Sequence, residues 1–194
     1  MRPTDFVGRV QRKVALSAVA PSMLRGQGRG LVGCAHGFLA ALSLQRIPRS
    51  SERRFMAWLD RQTRALDEAF PSRSRRWAAA RKVINIFLRD ALYNRYLNRA
   101  FRLSPVEPWL EVPLDGLVAA RLKKLAARGT LPRWQGLKRA TREECGAFQQ
   151  FAQEAAETMG VERVHLDIYL WVDGKEAGAS TGLGLHRRPP WNRK

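Results

Sequence analysis

The stretch Trp77-Ala78-Ala79-Ala80-Arg81-Lys82-Val83-Ile84-Asn85-Ile86-Phe87-Leu88 decides the fold class. Its apolar residues wrap most of a helix's circumference instead of forming one stripe, which is the pattern of a helix enclosed by others. Such a helix needs neighbours, and the chain on either side supplies them. Upstream, Phe55, Trp58, Leu59, Leu66, Ala69 and Phe70 recur at helical spacing on a segment opened by Pro48 to Glu52. Before that lie a helix carrying Phe6, Val10 and Val14 and a small-residue helix over Leu31 to Leu44.

Downstream, Leu92, Tyr93, Tyr96, Leu97 and Phe101 mark another helical stretch. Asp115 stands where an N-cap belongs ahead of Leu117, Val118, Leu122 and Leu125. Thr141-Arg142-Glu143-Glu144 forms a capping box whose helix stops at Gly160. Val161 to Val172 alternates well enough for a strand, but no other segment offers a strand to pair with, so a helix is expected there. The reading is an all-α, single compact bundle of seven or eight helices over residues 1–172, followed by a disordered basic tail over 173–194 rich in Gly, Pro and Arg.

Charge narrows the partners. The 35 basic residues, 28 of them Arg, face only 17 acidic ones, for a formal charge of +18. A charge this high makes the folded chain repel itself and points to a polyanion, with duplex DNA the first expectation. Cys34 and Cys145 stand far apart, and His36, His165 and His186 are scattered, so neither a metal nor an organic cofactor is expected. The longest apolar run, Gly30 to Leu42, is short of the roughly 20 residues that span a bilayer. Val14 to Ala20 has the length of a signal core, yet Arg9, Arg12 and Lys13 and the helical periodicity favour an ordinary helix in a cytoplasmic protein.

Two residues could carry chemistry. Lys82 lies inside the apolar helix, and 33 positions later Val112-Pro113-Leu114-Asp115 follows a connector over 104–113 that holds three prolines and Trp109. This order resembles the helix-hairpin-helix superfamily of DNA glycosylases, in particular the 8-oxoguanine branch with a long connector between lysine and aspartate. The resemblance covers residues 75–125. It implies that Lys82 attacks the anomeric carbon of a damaged nucleotide and forms a Schiff base with the sugar. It further implies that Asp115 stabilises developing positive charge on the sugar and helps activate the lysine.

The family's glycine-rich hairpin is replaced here by Ser72-Arg73-Ser74-Arg75-Arg76-Trp77. Phosphate contact then falls to Arg75, Arg76 and Arg81 and to the helix N-terminus. Trp77, Trp109 and Trp134 lie near loops flanking the pair and could stack an extruded base. The loop Arg25-Gly26-Gln27-Gly28-Arg29-Gly30 offers two further guanidinium groups, Arg25 and Arg29, beside glycines that let a phosphate approach.

Plainer readings use the same residues. Lys82 can snorkel past apolar neighbours, and Asp115 can be an N-cap worth about 1 kcal/mol. The alternative is then a non-catalytic helical nucleic-acid-binding protein. A third reading rests on Arg29 and His36, whose six-residue separation resembles the Arg-x4-6-His signature of all-helical HEPN ribonucleases. Covalent chemistry separates the first reading from the second, because both expect DNA affinity.

Overall fold

In the computed structural model, which describes residues 3–24, 29–71, 73 and 75–179, the enclosed helix is found where the sequence places it. We number the helices in chain order: α1 (Pro3–Ser17), α2 (Leu31–Ala41), α3 (Glu52–Ala69), α4 (Trp77–Tyr93), α5 (Arg95–Phe101), α6 (Gly116–Leu125), α7 (Arg142–Met159) and α8 (Leu166–Ala179). Every residue from Ala78 to Leu88 is buried, and α4 packs against α1, α2, α3, α5 and α7. Among the described residues there is no strand, and short 3-10 turns over Pro21–Leu24, Leu44–Arg46, Ser104–Trp109 and Arg163–His165 link the helices. The Val161–Val172 segment resolves into the last of these turns and the start of α8.

Local chemistry sets the helix ends. Ser51 caps α3 through the Arg54 amide, and the Asp115 carboxylate accepts from the Leu117 and Val118 amides at 2.9 Å to start α6. The capping box of α7 is complete: the Glu144 amide donates to the Thr141 hydroxyl, and the Thr141 amide donates to the Glu144 carboxylate. Gly160 ends α7 at φ 68°, a left-handed conformation that glycine takes without steric cost. α8 continues to Ala179, past the boundary expected at 172; residues 180–194 of the expected tail lie outside the described residues.

Two apolar clusters share α4. The larger joins α1 to α5 with Val106, Leu110 and Val164, and takes in Ala79, Ala80, Val83, Ile84 and Phe87. The smaller collects Val112, Leu114, Val118, Leu122, Cys145, Phe148, Leu166 and Leu170 around Ala78. The polar residues Arg81, Lys82 and Asn85 are buried on the same helix. Burial of such groups is costly without partners, so what they bind decides what the seam between the clusters can do. No helix among the described residues is long and apolar enough to cross a membrane.

Candidate functional site

Lys82 finds its partner across the seam. Its Nζ lies 3.2 Å from Asp115 Oδ2, with the lysine side chain 7% exposed and the aspartate 33%. Oδ1 of the same carboxylate caps α6, so the cap fixes the direction in which Asp115 presents its other oxygen. The Met23 carbonyl, in the turn after α1, approaches Nζ to 3.5 Å. A buried amine beside a carboxylate on a helix N-terminus has a proton acceptor in place and a partner for positive charge.

Arg81, one residue earlier, is bound far more tightly. Its Nε and Nη2 donate to the two oxygens of Glu111 at 2.8 Å each, and Nη1 donates to Asp60 at 2.7 Å and to Thr63 at 3.2 Å. Asn85 Nδ2 adds a further bond to Glu111 at 2.8 Å. Burial pushes the Glu111 carboxyl up, but the hydrogen bonds and charge of Arg81, together with Asn85 and Arg163, outweigh this and hold it below its ordinary value. Arg81 was expected to contact phosphate. With its guanidinium buried and committed to two carboxylates, it is instead a strut between α3, α4 and the connector.

A cavity of about 210 Å³ opens beside this network, lined by Trp77, Arg81, Lys82, Asn85, Glu111, Trp134 and Cys145 among others. Two of the three expected tryptophans are therefore brought together with Lys82. Trp77 carries the guanidinium groups of Arg81 and Arg142 over its ring, and Trp134 packs edge-on against Phe148. Trp109 is elsewhere: it packs against Phe55 in the larger cluster and is no stacking platform for this cavity. Burial pushes the Cys145 thiol up to about 12, so it stays protonated there.

The remaining arginines divide by position. Arg29 and Arg75 are exposed, Arg76 is half-buried, and Arg25 lies outside the described residues. A Cβ on Gly30 would meet the Pro71 ring at 3.6 Å, which places Arg29 on the same edge as the turn leading into α4. Both α2 and α4 begin without a side-chain cap, at Gly30 and Arg76. His36 is engaged with the Val19 carbonyl through Nε2 at 2.9 Å, tying α2 to the end of α1.

Sequence reasoning passed over several charged groups. Arg163 donates to the carbonyls of Leu110 and Trp109, Arg89 pairs with Asp167, and His165 links Tyr93 Oη at 2.8 Å to Glu107 at 2.7 Å. The one available signal was Glu111, a single acid between Leu110 and Val112. Among the described residues, no group of three His, Cys, Asp or Glu side chains could hold a metal ion.

No family model, curated protein or solved structure matches the chain.

Proposed function

We propose that the protein binds duplex DNA and excises a damaged base by glycosylase and lyase chemistry through Lys82 and Asp115. The observation that carries this reading is the 3.2 Å approach of Lys82 Nζ to Asp115 Oδ2 at a buried seam that opens into a cavity. In the proposed reaction Asp115 takes the proton from Nζ, and the free amine attacks the sugar's anomeric carbon. The carbon–nitrogen bond to the base breaks as the bond to Nζ forms. The base leaves with the bonding pair and takes up a proton. Ring opening of the sugar gives the Schiff base, from which loss of a proton at C2′ expels the 3′-phosphate.

The exposed Arg29, Arg73 and Arg75, near the uncapped starts of α2 and α4 in the chain, support the DNA-binding half of the proposal. The second reading, a binding module without chemistry, is favoured by the cap that Asp115 makes, since an N-cap and an ion pair account for both residues.

Borohydride trapping tests the two. Labelled duplexes carrying 8-oxoguanine, an abasic site or only normal bases are incubated with the protein and with Lys82→Ala. The proposal expects a covalent band on the 8-oxoguanine duplex that disappears in the variant. Tight binding with no band on that duplex sinks the enzymatic reading for this lesion and leaves the binding module. A band on the abasic duplex alone does not support the glycosylase, because many amines trap such sites.

A further inference from the structure

Between Asp115 and Glu143 the chain carries eight basic residues and not one acid. On α3, by contrast, four basic residues stand among four acids, and on α4 Arg81, Lys82 and Arg89 each meet a carboxylate. Six of the eight, Lys123, Lys124, Arg128, Arg133, Lys138 and Arg139, are exposed. Among the described residues none of these six forms an ion pair.

The fold holds these charges outward by turning the apolar residues of the same stretch inward. Val118, Ala119 and Leu122 of α6 and Leu131 of the following loop are buried in the smaller cluster, and Trp134 and Leu137 pack against it. Trp134 meets Phe148 edge-on and lies beside the start of α6, where a Cβ on Gly116 would come within 3.9 Å of its Nε1. The Gln135 amide donates to Glu144 at 2.9 Å and fixes the loop to α7. Two flanking carboxylates are engaged already: Asp115 by Lys82 and the α6 amides, Glu144 by Gln135 and the Thr141 amide. The stretch also reaches the proposed site, since Leu137 and Arg142 line the same cavity as Lys82.

We infer that the exposed basic residues of α6 and of the loop up to Ala140 bind the phosphates of a nucleic acid flanking the nucleotide at Lys82. The inference rests on the DNA-binding reading above and adds a second contact region, separate in the chain from Arg29, Arg73 and Arg75. Like charges held on one short stretch repel one another, and a polyanion relieves that repulsion. A nucleic acid backbone fits better than an anionic membrane. Leu117 and Leu125 of α6 are partly exposed, but the loop, which carries four of the six charges, exposes no large apolar side chain to enter a bilayer. Lys123 and Lys124 stand about 13 Å along α6 from Asp115, at about 1.5 Å per residue. With about 3.4 Å between nucleotides of one strand, a strand lying along α6 meets them about four nucleotides from Lys82.

The test measures binding of the full-length protein to an undamaged duplex by fluorescence anisotropy over a range of salt. One variant carries Lys123→Gln, Lys124→Gln and Arg128→Gln, and a second carries Arg133→Gln, Lys138→Gln and Arg139→Gln. A charge-matched control carries Arg53→Gln, Arg61→Gln and Arg64→Gln on α3. All nine positions are exposed, so the melting temperatures should be unchanged. Each of the first two variants should lower the slope of log affinity against log salt by about 1 to 2.7, at about 0.9 for each phosphate released, and the control by less than about 0.5.

A slope that falls as far in the control would show that net charge alone drives binding, and would overturn the inference. So would a slope unchanged in either of the first two variants. A wild-type protein that binds no duplex sinks the DNA-binding reading and this inference with it. Binding to phosphatidylserine vesicles that is lost in the same two variants would then assign the stretch to a membrane. None of these readouts needs a damaged base or a covalent step, so trapping can fail while the salt slopes still place phosphates here.

Discussion

At the scale of single residues, the Arg81–Glu111 pair and the Lys82–Asp115 pair make opposite demands. Arg81 and Glu111 are both buried and bound in bidentate fashion, so removing one partner strands a charge in the interior. Glu111→Gln is expected to cost about 3 kcal/mol in urea unfolding, whereas the double change Arg81→Met, Glu111→Met should cost much less than the two single changes together. Because the Glu111 carboxyl is held below its ordinary value of 4.5, its contribution is full above that pH and is lost as pH falls through its folded value. The melting temperature should therefore drop on acidification below about 4.5, and Glu111→Gln should flatten that drop. Asp167 acts in the other direction. Burial raises its carboxyl further than Arg89 lowers it, so its cost is relieved as pH falls. Lys82 and Asp115 share a single contact with a carboxylate one third exposed, and asparagine caps a helix about as well as aspartate. Asp115→Asn should therefore keep the cap but leave the buried lysine without its carboxylate, at a cost of about 1–3 kcal/mol, and should abolish trapping if the carboxylate takes part in the chemistry. Undiminished trapping would remove Asp115 from the mechanism.

At the scale of elements, the caps were legible because their chemistry is local. Asp115, the Thr141–Glu144 box and Gly160 each act on backbone groups within a turn of themselves, and each is found where its residue type places it. Thr141→Ala should cost about 1 kcal/mol and fray the start of α7, visible as faster amide exchange at Glu144 and Cys145. Burial of α4 on all sides was legible too, since no single face of Trp77–Leu88 is polar enough to meet water. The length of α8 was not. The composition after Asp173, rich in Gly, Pro and Arg, read as a disordered tail, yet the helix reaches Ala179.

For the whole molecule, the proposed DNA binding by so basic a chain would be driven by counterion release. Log affinity should fall linearly with log salt, and replacing Arg29, Arg73 and Arg75 by serine should reduce the slope by up to about 2.7, at about 0.9 for each phosphate no longer neutralised. A slope unchanged in that variant would move the interface to another face. The two thiols report on the packing of the same fold. Cys34 is half-buried with its Sγ on the Ala69 carbonyl, whereas Cys145 is buried in the smaller cluster beside the cavity, where burial pushes its thiol up to about 12. A disulfide reagent near neutral pH should modify Cys34 first and Cys145 much more slowly, because burial keeps that thiol protonated.

Charge, periodicity and caps are properties of neighbouring residues, so the chain by itself determined its helical class, its central helix, several helix ends and its strongly basic character. The polar seam between the two clusters belongs to the tertiary structure. Lys82 and Asp115 could be paired from the sequence only through a resemblance. Arg81 could not be told from a surface arginine, because the residues that take it out of water, Asp60, Thr63 and Glu111, lie 18 to 30 positions away. Whether a cation on a helix meets solvent, phosphate or a buried carboxylate depends on which helix packs over it, and no short-range pattern records that. The same holds for Trp109, which went to the core, and for Trp77 and Trp134, which went to the cavity.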